Sequence, residues 1–168
     1  MRTFLFTSFL MVILNVTAQK WTKEKAWSWY EKQPWLVGTN FNPSSSINQL
    51  EFWQAETFDQ STIERELKWS SELGMNVHRV YLHNLLWDQD SLGFLKRIEN
   101  YLEISESKGI KTLFVLLDDV WHPIPKIGKQ PNPMPFIHNS GWVQSPGSAI
   151  LGDSLRHQEV KNYIKGVL

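Results

Sequence analysis

Cysteine is absent from this chain of 168 residues. That absence excludes disulfide bonds, thiolate metal sites and a cysteine nucleophile. A surplus of charge is also absent, because 17 basic side chains balance 17 acidic ones. Proteins that bind nucleic acid or an anionic membrane surface carry an excess of Lys and Arg. We therefore expect neither nucleic acid nor a membrane surface as a partner.

The apolar run at residues 4–16 is too short for a membrane span, which needs about 20 residues to cross a hydrocarbon core of about 30 Å. Arg2 precedes this run, and Val16, Thr17 and Ala18 provide the small residues of a cleavage site before Gln19. Residues 1–18 are therefore predicted to be a signal peptide. The mature protein is expected to be exported to the periplasm or the medium, without a stable membrane anchor.

The chain contains a repeated unit. Residues 73–87 and residues 108–122 both run from the end of a helix-like segment through a glycine into a short apolar run, and both end in polar and aromatic residues. Gly74 matches Gly109 and Val80 matches Val115, 35 positions later. A repeat of this length, with one strand and one helix, is typical of a βα unit in a parallel sheet.

Apolar periodicity and capping residues predict the other elements. Strands are predicted at residues 35–41, 77–82 and 112–117. Helices are predicted at residues 20–33, from Asp59 or Ser61 to residue 73, from Asp90 or Ser91 to residue 108, and at residues 155–168 after Asp153 or Ser154. The third strand is apolar at both parities, which predicts a strand covered on both faces. Residues 119–152, rich in Pro, Gly and Asn, are predicted to form a functional loop.

Three βα units predict an α/β fold but do not close a barrel. A (β/α)₈ or TIM barrel needs eight units and roughly 250 residues, whereas an open three-stranded sheet would leave an apolar edge unpaired. We therefore expect residues 19–168 to be the N-terminal part, about three βα units, of a TIM barrel that is truncated at its C-terminus.

Active sites of parallel α/β folds collect at the carboxyl ends of the strands. Arg79 is the most informative candidate there, because it interrupts the apolar run at residues 77–82. A buried guanidinium needs a carboxylate or several acceptors. Two interpretations stay open, namely a role in a site and a structural ion pair with a helix acid such as Glu72.

The other candidates are polar and aromatic residues that follow the predicted strands or lie in the long loop. Three tryptophans among them, Trp87, Trp121 and Trp142, predict either a cover over the core or platforms that stack on sugar rings. The substrate-binding candidates are Asn40, His83, Asn84, Trp87, Asp119, Trp121, His122, His138 and Trp142.

Metal chemistry is the alternative at these strand ends. Asp118, Asp119, His122 and His83 could hold a divalent ion, although they lack a recognised ligand spacing. We expect no metal and no cofactor. Asp118 and Asp119 are adjacent on an extended segment and point to opposite faces, so they cannot form the carboxylate pair that glycoside hydrolysis needs.

Four motifs carry a resemblance to a known family. They are WLVGTNFNP at residue 35, LGMNVHRVYLHNLLW at residue 73, GIKTLFVLLDDVWHP at residue 109 and HNSGWVQSPG at residue 138. Their order resembles secreted clan A glycoside hydrolases of the cellulase and mannanase type, particularly bacterial 1,4-β-xylanase-like proteins, over about the first three of eight βα units. The pattern Gly-x-Asn-x-x-Arg-Val corresponds to Gly74, Asn76, Arg79 and Val80.

The resemblance implies a glycoside hydrolase that cleaves β-linked polysaccharide or oligosaccharide of the glucan, mannan or xylan class. It implies that Arg79 hydrogen-bonds the nucleophilic glutamate and keeps it ionised. The two catalytic glutamates of that clan follow strands four and seven, so this chain is expected to supply part of the substrate cleft and to be inactive alone. Two alternatives stay open: a metal-dependent TIM-barrel hydrolase or isomerase, and a non-catalytic carbohydrate-binding protein.

Overall fold

A computed structural model describes residues 20–168. The predicted signal peptide therefore lies outside the described residues. These residues fall into two units, one that ends at Trp35 and one that spans Leu36–Leu168. The first unit contains helix α1 (Lys23–Tyr30), shorter than the predicted 20–33, and the Thr22 side chain caps it by accepting a hydrogen bond from the Lys25 amide at 3.2 Å.

The second unit alternates helices with three parallel strands. Strand β2 lies between β1 and β3 in an open sheet, so the predicted α/β class and parallel strands are confirmed. No helix within residues 20–168 combines the length and the apolar character needed to cross a bilayer. In chain order the elements are β1 (Gly38–Phe41), α2 (Gln49–Trp53), α3 (Gln60–Glu72), β2 (Val77–Tyr81), α4 (Asn84–Ser107), β3 (Lys111–Val115), α5 (Ser148–Leu151), a 3₁₀ turn (Ser154–Arg156) and α6 (His157–Val167).

The two faces of the sheet differ in what covers them. Phe41 and Val80 point to one face and belong to a core built with residues of helices α2, α3, α4 and α6. Asn40, Arg79 and Leu113 are in register on the other face, where Leu113 is 58% exposed. The prediction that the third strand is covered on both faces is therefore wrong within residues 36–168, because Leu113 is exposed on one face and the helices that build the core of this unit pack on the other.

Several predicted boundaries shift. Strand β1 begins at Gly38 rather than at residue 35, and β3 spans Lys111–Val115 rather than residues 112–117. Asp59 caps α3 by accepting from the Thr62 amide at 3.1 Å, as one of the two predicted alternatives required. Each boundary follows the local hydrogen bonds, which apolar periodicity alone does not reveal.

Helix α4 begins six residues before the predicted cap at Asp90. Asp90 has non-helical backbone angles inside α4, and its carboxylate accepts from the Gly93 amide at 2.9 Å. The predicted cap therefore exists, but it lies at a kink within a longer helical segment. The first turn of α4, which precedes this kink, has its own cap, because the His83 side chain accepts from the Leu85 amide at 3.2 Å.

The long loop is held by a short helix that the sequence interpretation missed. Three buried amide side chains, one at each end of helix α2 and one inside it, form hydrogen bonds to the loop. Gln49 donates to the Val143 carbonyl at 2.7 Å, and Gln54 donates to the Gly128 carbonyl at 3.2 Å. Asn48 donates to the Gly141 carbonyl at 2.8 Å. These bonds replace regular secondary structure as the anchor of the loop.

Candidate functional site

A cavity of about 480 Å³ opens at the carboxyl ends of the strands. Strands β1 and β2 contribute side chains from the uncovered face of the sheet, and the loop after β3 contributes the rest. We name it the strand-end cavity. Its lining consists of Asn40, Arg79, Tyr81, Asp118, Trp121, His138, Asn139 and Trp142.

Aromatic rings form a continuous row along this cavity. The Tyr81 and Trp142 rings meet edge to face with centroids 5.1 Å apart, and Trp142 contacts Trp121 at 6.1 Å. Trp121 in turn contacts His138 at 5.9 Å. Edge-to-face pairs are favourable because the positive edge of one ring faces the negative face of another. The row therefore presents an aromatic wall to any ligand in the cavity.

Arg79 is exposed rather than buried, which corrects the expectation from the apolar run around it. Its side chain lies on the uncovered face of the sheet, and its guanidinium carbon lies 4.8 Å from the Tyr81 ring centroid, a cation–π contact. No carboxylate within residues 20–168 forms an ion pair with Arg79, and Glu72 instead approaches Lys68 at 3.8 Å. The structural ion pair with Glu72 is therefore ruled out.

Asp118 connects the polar and aromatic parts of the site. Its carboxylate accepts a hydrogen bond from the Trp121 indole at 3.2 Å, and this bond fixes the orientation of the ring. The backbone of Trp121 has a positive φ of 82°. Burial and the nearby Asp118 charge raise the pKa of Tyr81, while the Arg79 charge acts in the opposite direction. Tyr81 is therefore a neutral hydroxyl at neutral pH, able both to donate and to accept.

Comparison with models of known protein families, with curated proteins and with solved structures gives no match. The resemblance to clan A glycoside hydrolases thus rests on the sequence motifs alone.

Six residues singled out in the sequence line the strand-end cavity together, namely Asn40, Arg79, Asp118, Trp121, His138 and Trp142. Asn139 lies in the HNSGWVQSPG motif but was not named as a candidate by itself, and Tyr81 was missed. The signal for Tyr81 was its parity, since it lies two residues after Arg79 and therefore points to the same face of the strand.

His83 and Asn84 do not reach the cavity. His83 is fully buried, with Nδ1 accepting from the Leu85 amide and Nε2 lying 2.9 Å from the Gln144 carbonyl oxygen. Burial lowers the pKa of His83 to about 4, so the ring is neutral at physiological pH. Asn84 is also buried and accepts from the Ser145 hydroxyl at 3.4 Å. Both side chains connect α4 to the loop and do not line the strand-end cavity.

The remaining candidates are dispersed. Trp87 packs on the core, and a Cβ added at Gly166 of α6 would lie 2.0 Å from its ring, so Trp87 covers the core rather than the cavity. Asp119 is exposed and does not line the strand-end cavity, whereas His122 lines a neighbouring one.

The described residues do not provide a set of ligands for a metal ion. Within residues 20–168 no group of three His, Asp or Glu side chains is arranged to hold an ion. Both ring nitrogens of His83 have backbone partners. The three residues of the metal-dependent alternative, His83, Asp118 and His122, are thus not brought together here.

Proposed function

We propose that the strand-end cavity is part of the substrate cleft of a glycoside hydrolase that acts on β-linked polysaccharide of the glucan, mannan or xylan class. The observation that carries the proposal is the aromatic wall of Tyr81, Trp121 and Trp142 beside polar groups in one cavity. Aromatic faces stack on the axial C–H groups of sugar rings, and the adjacent donors and acceptors suit hydroxyl groups.

Arg79 has a specific part in this proposal. Its guanidinium is held over the Tyr81 ring, and no ion pair within residues 20–168 uses it. It can therefore donate to a sugar hydroxyl or to a carboxylate at the reacting centre, where a guanidinium keeps a carboxylate ionised. Export of the protein, which its N-terminal sequence predicts, would bring it to polymers too large to enter a cell.

The Trp142→Ala protein tests the binding part of the proposal. We expect its affinity for soluble β-1,4-linked hexasaccharides of glucose, mannose or xylose to fall by about tenfold to thirtyfold, because an aromatic anchor of a binding site is worth on the order of 2 kcal/mol. Isothermal titration calorimetry measures the change. Trp69→Ala is the matched control, since Trp69 is 53% exposed on α3 and lines neither the strand-end cavity nor the neighbouring cavity that His122 lines. Equal affinities for both variants and the wild type would remove sugar stacking from consideration.

A second function is favoured by one observation. Asp118 is the single carboxylate in the lining of the cavity formed by residues 20–168, and glycoside hydrolysis requires two. A carbohydrate-binding protein without catalysis needs only the aromatic wall. Release of reducing ends from polysaccharide by the full gene product, lost on Trp142→Ala, supports the hydrolase. Binding that depends on Trp142 without any release supports the non-catalytic protein.

A further inference from the structure

A second cavity of about 300 Å³ shares Trp142 with the strand-end cavity, because this residue lines both. We name it the lysine cavity, after Lys126 and Lys129 in its lining. Its volume is at the lower end of the range for small-molecule pockets and suits a single sugar unit. A ligand that extends past Trp142 would therefore occupy both cavities.

The lysine cavity has a local excess of positive charge. Lys126 and Lys129 are exposed, and neither forms an ion pair with any side chain in residues 20–168. None of the residues that line the cavity is an Asp or a Glu. Because the chain as a whole has no net charge, this concentration of positive charge is a property of the cavity and not of the protein surface in general.

The backbone between the two lysines is fixed by a buried amide. The Gln130 side chain is 3% exposed, and its Nε2 donates to the Lys126 carbonyl at 3.0 Å and to the Gly128 carbonyl at 2.7 Å. Its Oε1 accepts from Asn48 at 2.9 Å. A preorganised segment loses little conformational entropy when a ligand binds, so the lysines are suited to recognition.

His122 adds a third donor. Its Nδ1 accepts from the Ile124 amide at 3.3 Å, which leaves the proton of the neutral ring on Nε2. An ammonium group and this N–H are both donors only. The polar groups of Lys126, Lys129 and His122 therefore favour a ligand that carries acceptors and negative charge.

We propose that the lysine cavity is a subsite for an anionic sugar unit, bearing a uronate carboxylate or a sulfate ester, whose neutral neighbour in the same polysaccharide stacks in the strand-end cavity. This inference rests on the proposed function of the strand-end cavity. It narrows the substrate class to acid-bearing β-linked polysaccharides.

The test compares three matched xylo-oligosaccharides by calorimetry: one that is neutral, one that carries glucuronic acid and one that is sulfated. We expect an acid-bearing ligand to bind about five- to tenfold more tightly than the neutral one at low ionic strength, since each exposed ion pair contributes modestly. The preference should shrink in 0.5 M NaCl through screening. In the double variant Lys126→Gln/Lys129→Gln, the dissociation constant of the neutral ligand divided by that of the acid-bearing ligand should fall to about one.

Lys68→Gln/Lys96→Gln is the matched control, because it removes the same charge from helices α3 and α4 and neither residue lines the strand-end cavity or the lysine cavity. It should retain the preference. Neutral binding that depends on Trp142 but shows no acid preference overturns the lysine subsite and leaves the proposed function standing. An acid preference equal in both double variants also overturns the subsite. Binding neither to any of these three ligands nor to the glucose and mannose hexasaccharides overturns both.

Discussion

Replacing Asn48 by Asp is expected to lower the free energy of unfolding by about 3–5 kcal/mol. The substitution replaces a hydrogen-bond donor inside a buried network by an acceptor, which breaks the network. Asn48 is fully buried, and both ends of its amide are used. The oxygen accepts from the amides of Leu50 and Glu51, at 3.0 and 3.2 Å, which caps helix α2. The nitrogen donates to Gln130 and Gly141 of the loop.

Aspartate at position 48 retains the helix cap but loses the two hydrogen bonds that Asn48 donates to the loop. A carboxylate oxygen would replace the donor and would face the Oε1 atom of Gln130 and the Gly141 carbonyl, both acceptors. Rotation of the Gln130 amide cannot repair the contact, because its Nε2 already donates to two backbone carbonyls. The buried charge adds its own desolvation cost. Both cavities are lined by this loop, so sugar affinity should fall with stability.

Urea denaturation measures the change in free energy. Asn162→Asp is the matched control, because the same chemical change occurs there on an exposed residue of α6 whose Oδ1 accepts from Gln158 at 2.8 Å, a bond that a carboxylate preserves. We expect that control to stay within about 0.5 kcal/mol of the wild type. Asn48→Ser keeps the cap and loses the loop bonds without adding charge, so it should lie between the two. A stable Asn48→Asp protein would show that α2 does not anchor the loop.

The sheet could be predicted from the sequence because its signals are local. The short apolar run at residues 77–82 and the glycine before it are neighbours in the chain, and the matching run at residue 112 repeats them. The anchors of the loop could not be predicted in this way. Asn48 and Gly141 are 93 residues apart, and Asn48 and Gln130 are 82 apart. Only the folded chain brings such amide partners together.

The site was predicted in part, for a related physical reason. The rule that strand ends converge predicted that Asn40, Arg79 and Trp121 would meet, since it depends only on the parallel sheet, and all three line the strand-end cavity. The same rule was wrong for His83. A side chain directly after a strand can fold back to cap the next helix instead of facing the cavity, and a capping histidine looks the same in sequence as a binding one.

Acidification from pH 7 towards pH 4 is expected to destabilise the protein through His83. Burial holds its pKa near 4 in the folded state, against an ordinary value of about 6.5. Between these values the unfolded chain binds a proton that the folded protein does not. The stability that the neutral ring contributes is thus complete above about pH 6.5 and is lost as the pH falls, by on the order of 3 kcal/mol in total.

His83→Asn isolates this contribution. Asparagine is a favoured helix cap and can accept from the Leu85 amide, but it does not titrate. Burial also lowers the pKa of His78, so the variant should retain part of the pH dependence. Urea unfolding at intervals from pH 7.5 to pH 4.5 should therefore give a slope that is shallower in His83→Asn, by up to about 1.4 kcal/mol per pH unit. Identical slopes would mean that His83 is protonated without unfolding, and that its two hydrogen bonds do not require the neutral ring.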